Sequence, residues 1–109
     1  MITKLSRIEL DTLKHFNQFL FEMDKIKEGK GTLLEHTTVV MGSNFGDSSN
    51  HTCNNLPMIV AGGGYNHQIH TVLEKQTPLC NLYLELLHKH DFDVDSFGSS
   101  EEDMGLLNT

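Results

Sequence analysis

Between residues 4 and 28, Leu5, Ile8, Phe16, Phe19, Met23 and Ile26 recur at steps of three and four, with one gap at Thr12. Leu13 and Leu20 widen the stripe, and Asp11, Lys14, Glu22 and Lys25 stand on the opposite side. That spacing puts the apolar positions on one face of a 3.6-residue turn and predicts a long amphipathic helix over 4–28. Thr3 or Ser6 is placed to cap its start. Gly29 in "EGKG" (28–31) is placed to stop it in a left-handed cap.

The pattern then changes. "HTTVVMGS" (36–43) is β-branched and apolar, which predicts a strand; it does not alternate, as expected inside a sheet covered on both faces. "LPMIVAGGG" (56–64) predicts a second such strand, with Pro57 at its entry and a glycine-rich exit requiring positive φ. "TPLCNLYLELLHKH" (77–90) predicts a second helix, with Thr77 as N-cap and Pro78 in the first helical position. Leu79, Leu82, Leu86 and His90, flanked by Tyr83 and Leu87, form its apolar stripe. "DFDVDSFG" (91–98) reads as a short alternating segment or turn pinned by Phe92, Val94 and Phe97, and residues 98–109 as a loosely held acidic tail.

Helix, strand, loop, strand, loop, helix and tail predict an α/β fold. Two or three strands make a poor sheet alone. The chain is therefore expected to be either a single domain over 1–109 or the C-terminal fragment of a larger α/β domain.

Composition narrows the function classes. The 109 residues have room for one core, and with 38% hydrophobic and 21% charged residues a folded chain is expected. A formal net charge of -7 argues against nucleic-acid binding, which needs cations to displace counterions, and against docking on an anionic membrane. No apolar run of about 18 residues exists, so no membrane insertion is expected. "MITKLSRIEL" contains no long apolar segment of a signal peptide. The spacing of Cys53 and Cys80 demands no disulfide, and both are expected to be free, buried thiols.

Candidate chemistry concentrates in "GSNFGDSSNHTCNNLP" (42–57). Asn44, Asp47 and His51 follow the first predicted strand directly, where α/β sheets bind ligands, and could offer an amide oxygen, a carboxylate and an imidazole to a metal or anion. The competing reading is a polar crossover whose Asn, Asp and Ser side chains cap their own backbone. His51, Cys53, His67 and His70 form an H-x-C and H-x-x-H pair, acceptable to zinc in ligand type but unlike the spacing of any common zinc module. "AGGGYNHQIH" lacks the Lys and Ser/Thr of a phosphate loop. Asp91, Asp93, Asp95 and Glu102 imitate a calcium loop, but Ser96 stands where glycine is required. No nucleophile elbow or triad order stands out. His15, His36, His88 and His90 have no partner spacing and read as surface or packing residues.

"ITKL", "EGKGTLLEHTTVVMGSNFGDSSNH", "NLPMIVAGGG", "TPLCNLYLELL" and "VDSFGSS", taken in order, resemble the C-terminal part of the HXXSHH-motif proteins, a domain family of unknown function. The likeness spans about Ile2 to Leu107. It implies a fragment of a longer protein whose naming motif lies upstream. It also implies a distant relation to the alkaline phosphatase and sulfatase superfamily, with a three-layer α/β/α sandwich. A divalent metal (zinc, calcium or magnesium) would sit at the strand ends, and the parent protein would be exported. In those relatives an Asp-His pair ends an apolar strand; the matching places here are Asn44 and Phe45, which puts one metal of such a site in doubt. The resemblance leaves His51 and His70 as the best ligand candidates, with Asn44 and Asp47 beside them and His67 and Cys53 as supporting residues. It implies no catalytic residue and an inactive isolated chain. The alternatives are an acidic interaction module pairing with a partner or a second copy of itself, and a small zinc-binding protein.

Overall fold

The computed structural model describes residues 2–47, 49–67 and 69–107. Its elements run α1 (Ile2–Lys25), β1 (Lys27–Glu28), β2 (Gly31–Thr32), β3 (Thr38–Gly42), β4 (Met58–Gly62) and α2 (Leu79–Lys89). Among the described residues the protein is mixed α/β, with two helices and two small antiparallel sheets. It divides into two compact units: residues 1–42 with 58–64, and residues 43–57 with 65–109.

In the first unit, α1 ends at Lys25, short of the predicted boundary, because residues 27–32 form a hairpin instead of a final helical turn. Lys27 pairs with Thr32 and Glu28 with Gly31, so "EGKG" is the hairpin tip, and Gly29 takes φ +57 there and not in a helix cap. The Leu33 N–H donates to the Ile26 carbonyl at 2.8 Å, extending the ladder. The Thr32 hydroxyl donates to Asp24 Oδ1 at 3.0 Å and ties the hairpin back to the helix. Thr32 and Glu35 then cap each other: the Thr32 N–H donates to Glu35 Oε2 at 2.7 Å, and the Glu35 N–H to Thr32 Oγ1 at 3.3 Å.

β3 and β4 pair antiparallel from Thr38–Gly62 to Gly42–Met58. Gly62, Gly63 and Gly64 all take positive φ, as the glycine-rich strand exit requires. At Gly62 a Cβ would stand 2.2 Å from the Thr37 carbonyl oxygen, so the position needs glycine for space as well as for φ. The expectation of strands covered on both faces is not met within the ladder. Val40 and Ile59 are both exposed, and because each is paired with its neighbour's next position they lie on opposite faces. Met23 is buried on α1, whereas Leu5, Ile8, Leu13 and Phe19 of the predicted stripe are exposed.

In the second unit, α2 begins one residue later than predicted. Pro78 is its N-cap, with ψ 132, and the Thr77 hydroxyl donates to the Lys75 carbonyl instead of capping the helix. Its far end closes in a Schellman motif. The Phe92 N–H reaches the Leu87 carbonyl and the Asp91 N–H reaches that of His88, with Asp91 at φ +63. Leu82 and Leu84 are buried as core, and beside them Asn81 (1% exposed) and Glu85 (0%) are buried too. Phe92 and Phe97 stay largely exposed, although Phe97 packs edge-on against Tyr83 at 6.1 Å. With Leu86, Leu87 and His90 they line an open apolar cavity of about 290 Å³.

Candidate functional site

The polar loop belongs to the second unit and folds on itself. The Gly46 N–H donates to the Thr52 carbonyl at 2.9 Å and the Thr52 N–H to that of Asp47 at 3.1 Å, so Asp47 and Thr52 form an antiparallel bridge. A Cβ at Gly46 would fall 1.8 Å from the Asn54 carbonyl oxygen, so glycine alone permits this approach. Asp47 Oδ1 accepts the Ser49 and Asn50 N–H groups at 2.9 and 3.3 Å, and Oδ2 accepts the Asn50 side-chain amide at 2.6 Å. These donors, the Asn50 side chain foremost, hold the Asp47 carboxyl below its ordinary range. The Ser43 hydroxyl donates to the Phe45 carbonyl at 2.8 Å and accepts the Phe45 N–H at 3.2 Å. Asp47 and Ser43 thus cap the loop's own backbone.

His51 is exposed at φ +54 and sets the edge of its ring against Phe45, centroids 5.1 Å apart. A non-glycine residue in the left-handed region is strained, and Asn55 repeats the feature at φ +54. Asn44 and Cys53 are exposed, and both Cys53 and Cys80 are free thiols, neither of them buried. Cys80 lies against Ser99, whose hydroxyl and then backbone N–H hold the thiol below its ordinary range. His67 sits edge-on to the buried Tyr65 at 6.0 Å, and His70 is exposed. A hydrogen bond from the Gln76 side chain to Asn54 Oδ1, at 2.8 Å, ties the loop to the segment that follows the glycine run.

Antiparallel pairing sets where the flanking segments leave the ladder. β3 exits at Gly42, beside the entrance of β4, whereas β4 exits at Gly62, beside Thr38. The loop carrying Asn44, Asp47 and His51 therefore starts at one end of the ladder. The segment carrying His67 and His70 starts at the other. Among the described residues no group of three or more His, Cys, Asp and Glu side chains stands together to hold a metal ion.

No family model, curated protein or solved structure matches the chain. Among the described residues no helix is long and apolar enough to cross a membrane.

Sequence reasoning missed the best-formed polar cluster, which lies on α2. His88 Nδ1 lies 2.6 Å from Asp103 Oδ2, and Nε2 lies 2.8 Å from the Val94 carbonyl oxygen. The Val94 carbonyl and then Asp103 raise the pKa of His88, and His88 in turn holds Asp103 below the carboxylate range. Asn81 Oδ1 accepts the Glu101 N–H at 2.7 Å, and Glu85 Oε1 accepts that of Leu107. The available signal was the line Asn81, Glu85, His88, spaced four and three along the leucine-rich helix.

Proposed function

We propose that the chain is the C-terminal portion of a phosphatase/sulfatase-like protein with a three-layer α/β/α sandwich. In that reading the loop 42–57 lines the edge of a metal or anion pocket. His51 and His70, with Asn44 and Asp47, face it, His67 and Cys53 support it, and residues outside this chain complete it. The isolated chain has no hydrolytic activity. One observation carries the reading: apolar positions of α1 and of both faces of the β3–β4 ladder are exposed, as elements of a larger layered core would be. The self-capped loop and the left-handed His51 fit a preformed rim that leaves an imidazole free to face a ligand supplied elsewhere.

The test is the genomic DNA upstream of the Met1 codon. An in-frame continuation encoding further strands and an HXXSHH segment is expected. A stop codon and a ribosome-binding site directly before Met1 overturn the reading, as does turnover of an aryl phosphate or aryl sulfate by the 109-residue chain alone.

The exposed stripe of α1 also favours a second reading, an acidic interaction module that buries this face on a partner or a second copy. Charges placed on the stripe (Ile8→Asp with Phe19→Asp) abolish association on that reading, while His51→Ala and His70→Ala leave it intact. The reverse pattern favours the pocket.

A further inference from the structure

The segment 101–107 is strapped to a single line of α2. Asn81 takes the Glu101 N–H and, at 3.5 Å, that of Glu102; Glu85 takes that of Leu107; and His88 holds the Asp103 side chain. These three helix residues follow one another at four and three positions, one above the next. The segment reverses between its anchors, with Gly105 at φ +63 and its N–H on Asp103 Oδ1 at 2.9 Å.

The chemistry of the His88 contacts fixes its protonation state. A carbonyl oxygen only accepts, and so does an ionised carboxylate. With Nε2 on the Val94 carbonyl and Nδ1 on Asp103, both ring nitrogens must donate, and the imidazole is an imidazolium. A neutral ring has one N–H, so it loses one of the two contacts and turns a lone pair toward an acceptor oxygen. We propose that His88 is a proton-operated latch that closes the 101–107 strap on α2 when charged and releases it when neutral.

Other features make the latch workable. His88 and Asp103 side chains are each 36% exposed, so the proton can exchange without unfolding the protein. Among the described residues, Asn81 Nδ2 and Glu85 Oε2 are buried without a protein partner, so closure leaves polar atoms unpaired and is not overwhelmingly favoured. Charged groups around His88 come from each neighbouring segment: Asp103 on the strap, Asp93 on the turn after α2, and Lys89 on the helix itself, acting on Asp103. The sign follows. A histidine whose folded pKa is raised contributes stability that is complete below its ordinary value, near 6.5, and is lost as pH rises through the raised value. Asp103, held low, contributes above the ordinary carboxylate value near 3.8 and fails as pH falls through its depressed one. The strap is tightest between the two.

The 109-residue chain tests this by histidine NMR titration together with hydrogen exchange of the Glu101, Glu102 and Leu107 amides, corrected for intrinsic rate. His88 is expected to titrate above 6.5, and protection of those amides is expected to fall through the same transition. A Cys80→Ser background removes the thiol beside Ser99, whose pKa is held below its ordinary range. In His88→Gln and Asp103→Asn the protection is lower and flat with pH. Protection that stays constant while His88 titrates overturns the latch, and so does a His88 that titrates at or below 6.5. Because the unsubstituted chain gives both readouts, a variant that fails to fold leaves the proposal open to refutation.

Discussion

Asp91 sits where helices commonly place glycine. It is the left-handed residue of the Schellman motif that ends α2, at φ +63, and its Cβ carries the steric cost that glycine avoids. Asp91→Gly is therefore expected to stabilise the second unit by about 0.5–1 kcal/mol, after allowance for the added freedom of the unfolded chain, as read by urea denaturation. Gly62 is the opposite case. Alanine there must adopt φ +75 and accept an oxygen 2.2 Å from its Cβ, so Gly62→Ala is expected to cost at least about 2 kcal/mol. At Asp47 the outcome depends on pH. Its carboxyl is held low by Asn50 and Ser49, so the turn it caps is fully supported above the ordinary value near 3.8 and weakens as pH falls through the depressed one. The Ser49 and Asn50 amide resonances should move together in that acid range, and Asp47→Asn should remove the common transition.

At the scale of elements, hydrophobic period located the helices and longer strands because it records which side of an element is apolar. It could not state whether that side would find cover. Ile8 belongs to a clear stripe and is 63% exposed, while Leu84, outside the predicted stripe of α2, is 2% exposed. Substitution should expose this difference. Ile8→Ser is expected to change stability by no more than about 0.5 kcal/mol, whereas Leu84→Ala should cost about 2–5 kcal/mol. The helix end at Lys25 was misplaced because Gly29 suits a hairpin tip as well as a helix cap, and only the pairing of Lys27 with Thr32 decides between them. Strand direction was equally invisible. β-branched runs do not encode whether partners run parallel, yet that direction puts the exits of β3 and β4 at opposite ends of the ladder. The polar line on α2 escaped notice for a related reason: Asp103 and Val94 lie 15 and 6 residues from His88, beyond any local spacing rule.

For the molecule as a whole, two opposing terms set its behaviour in solution. Apolar side chains are exposed along α1 and on both faces of the β3–β4 ladder, which favours association. A formal charge of -7 at pH 7 opposes it by repulsion between copies. That count takes the histidines as neutral, and the net charge shrinks as pH falls toward the sequence pI, so lowering the pH removes the repulsion while the apolar surface stays in place. Association should therefore rise as pH falls from 7.5 toward the sequence pI near 5.3, where the opposing charge vanishes. Sedimentation velocity on the 109-residue chain should show larger species growing over that interval. Added salt at pH 7.5 should produce part of the same effect by screening. Ile8→Asp with Phe19→Asp should suppress it at every pH by charging the α1 stripe. A chain that stays monomeric at pH 5.3 in low and high salt would show that this exposed surface does not drive self-association.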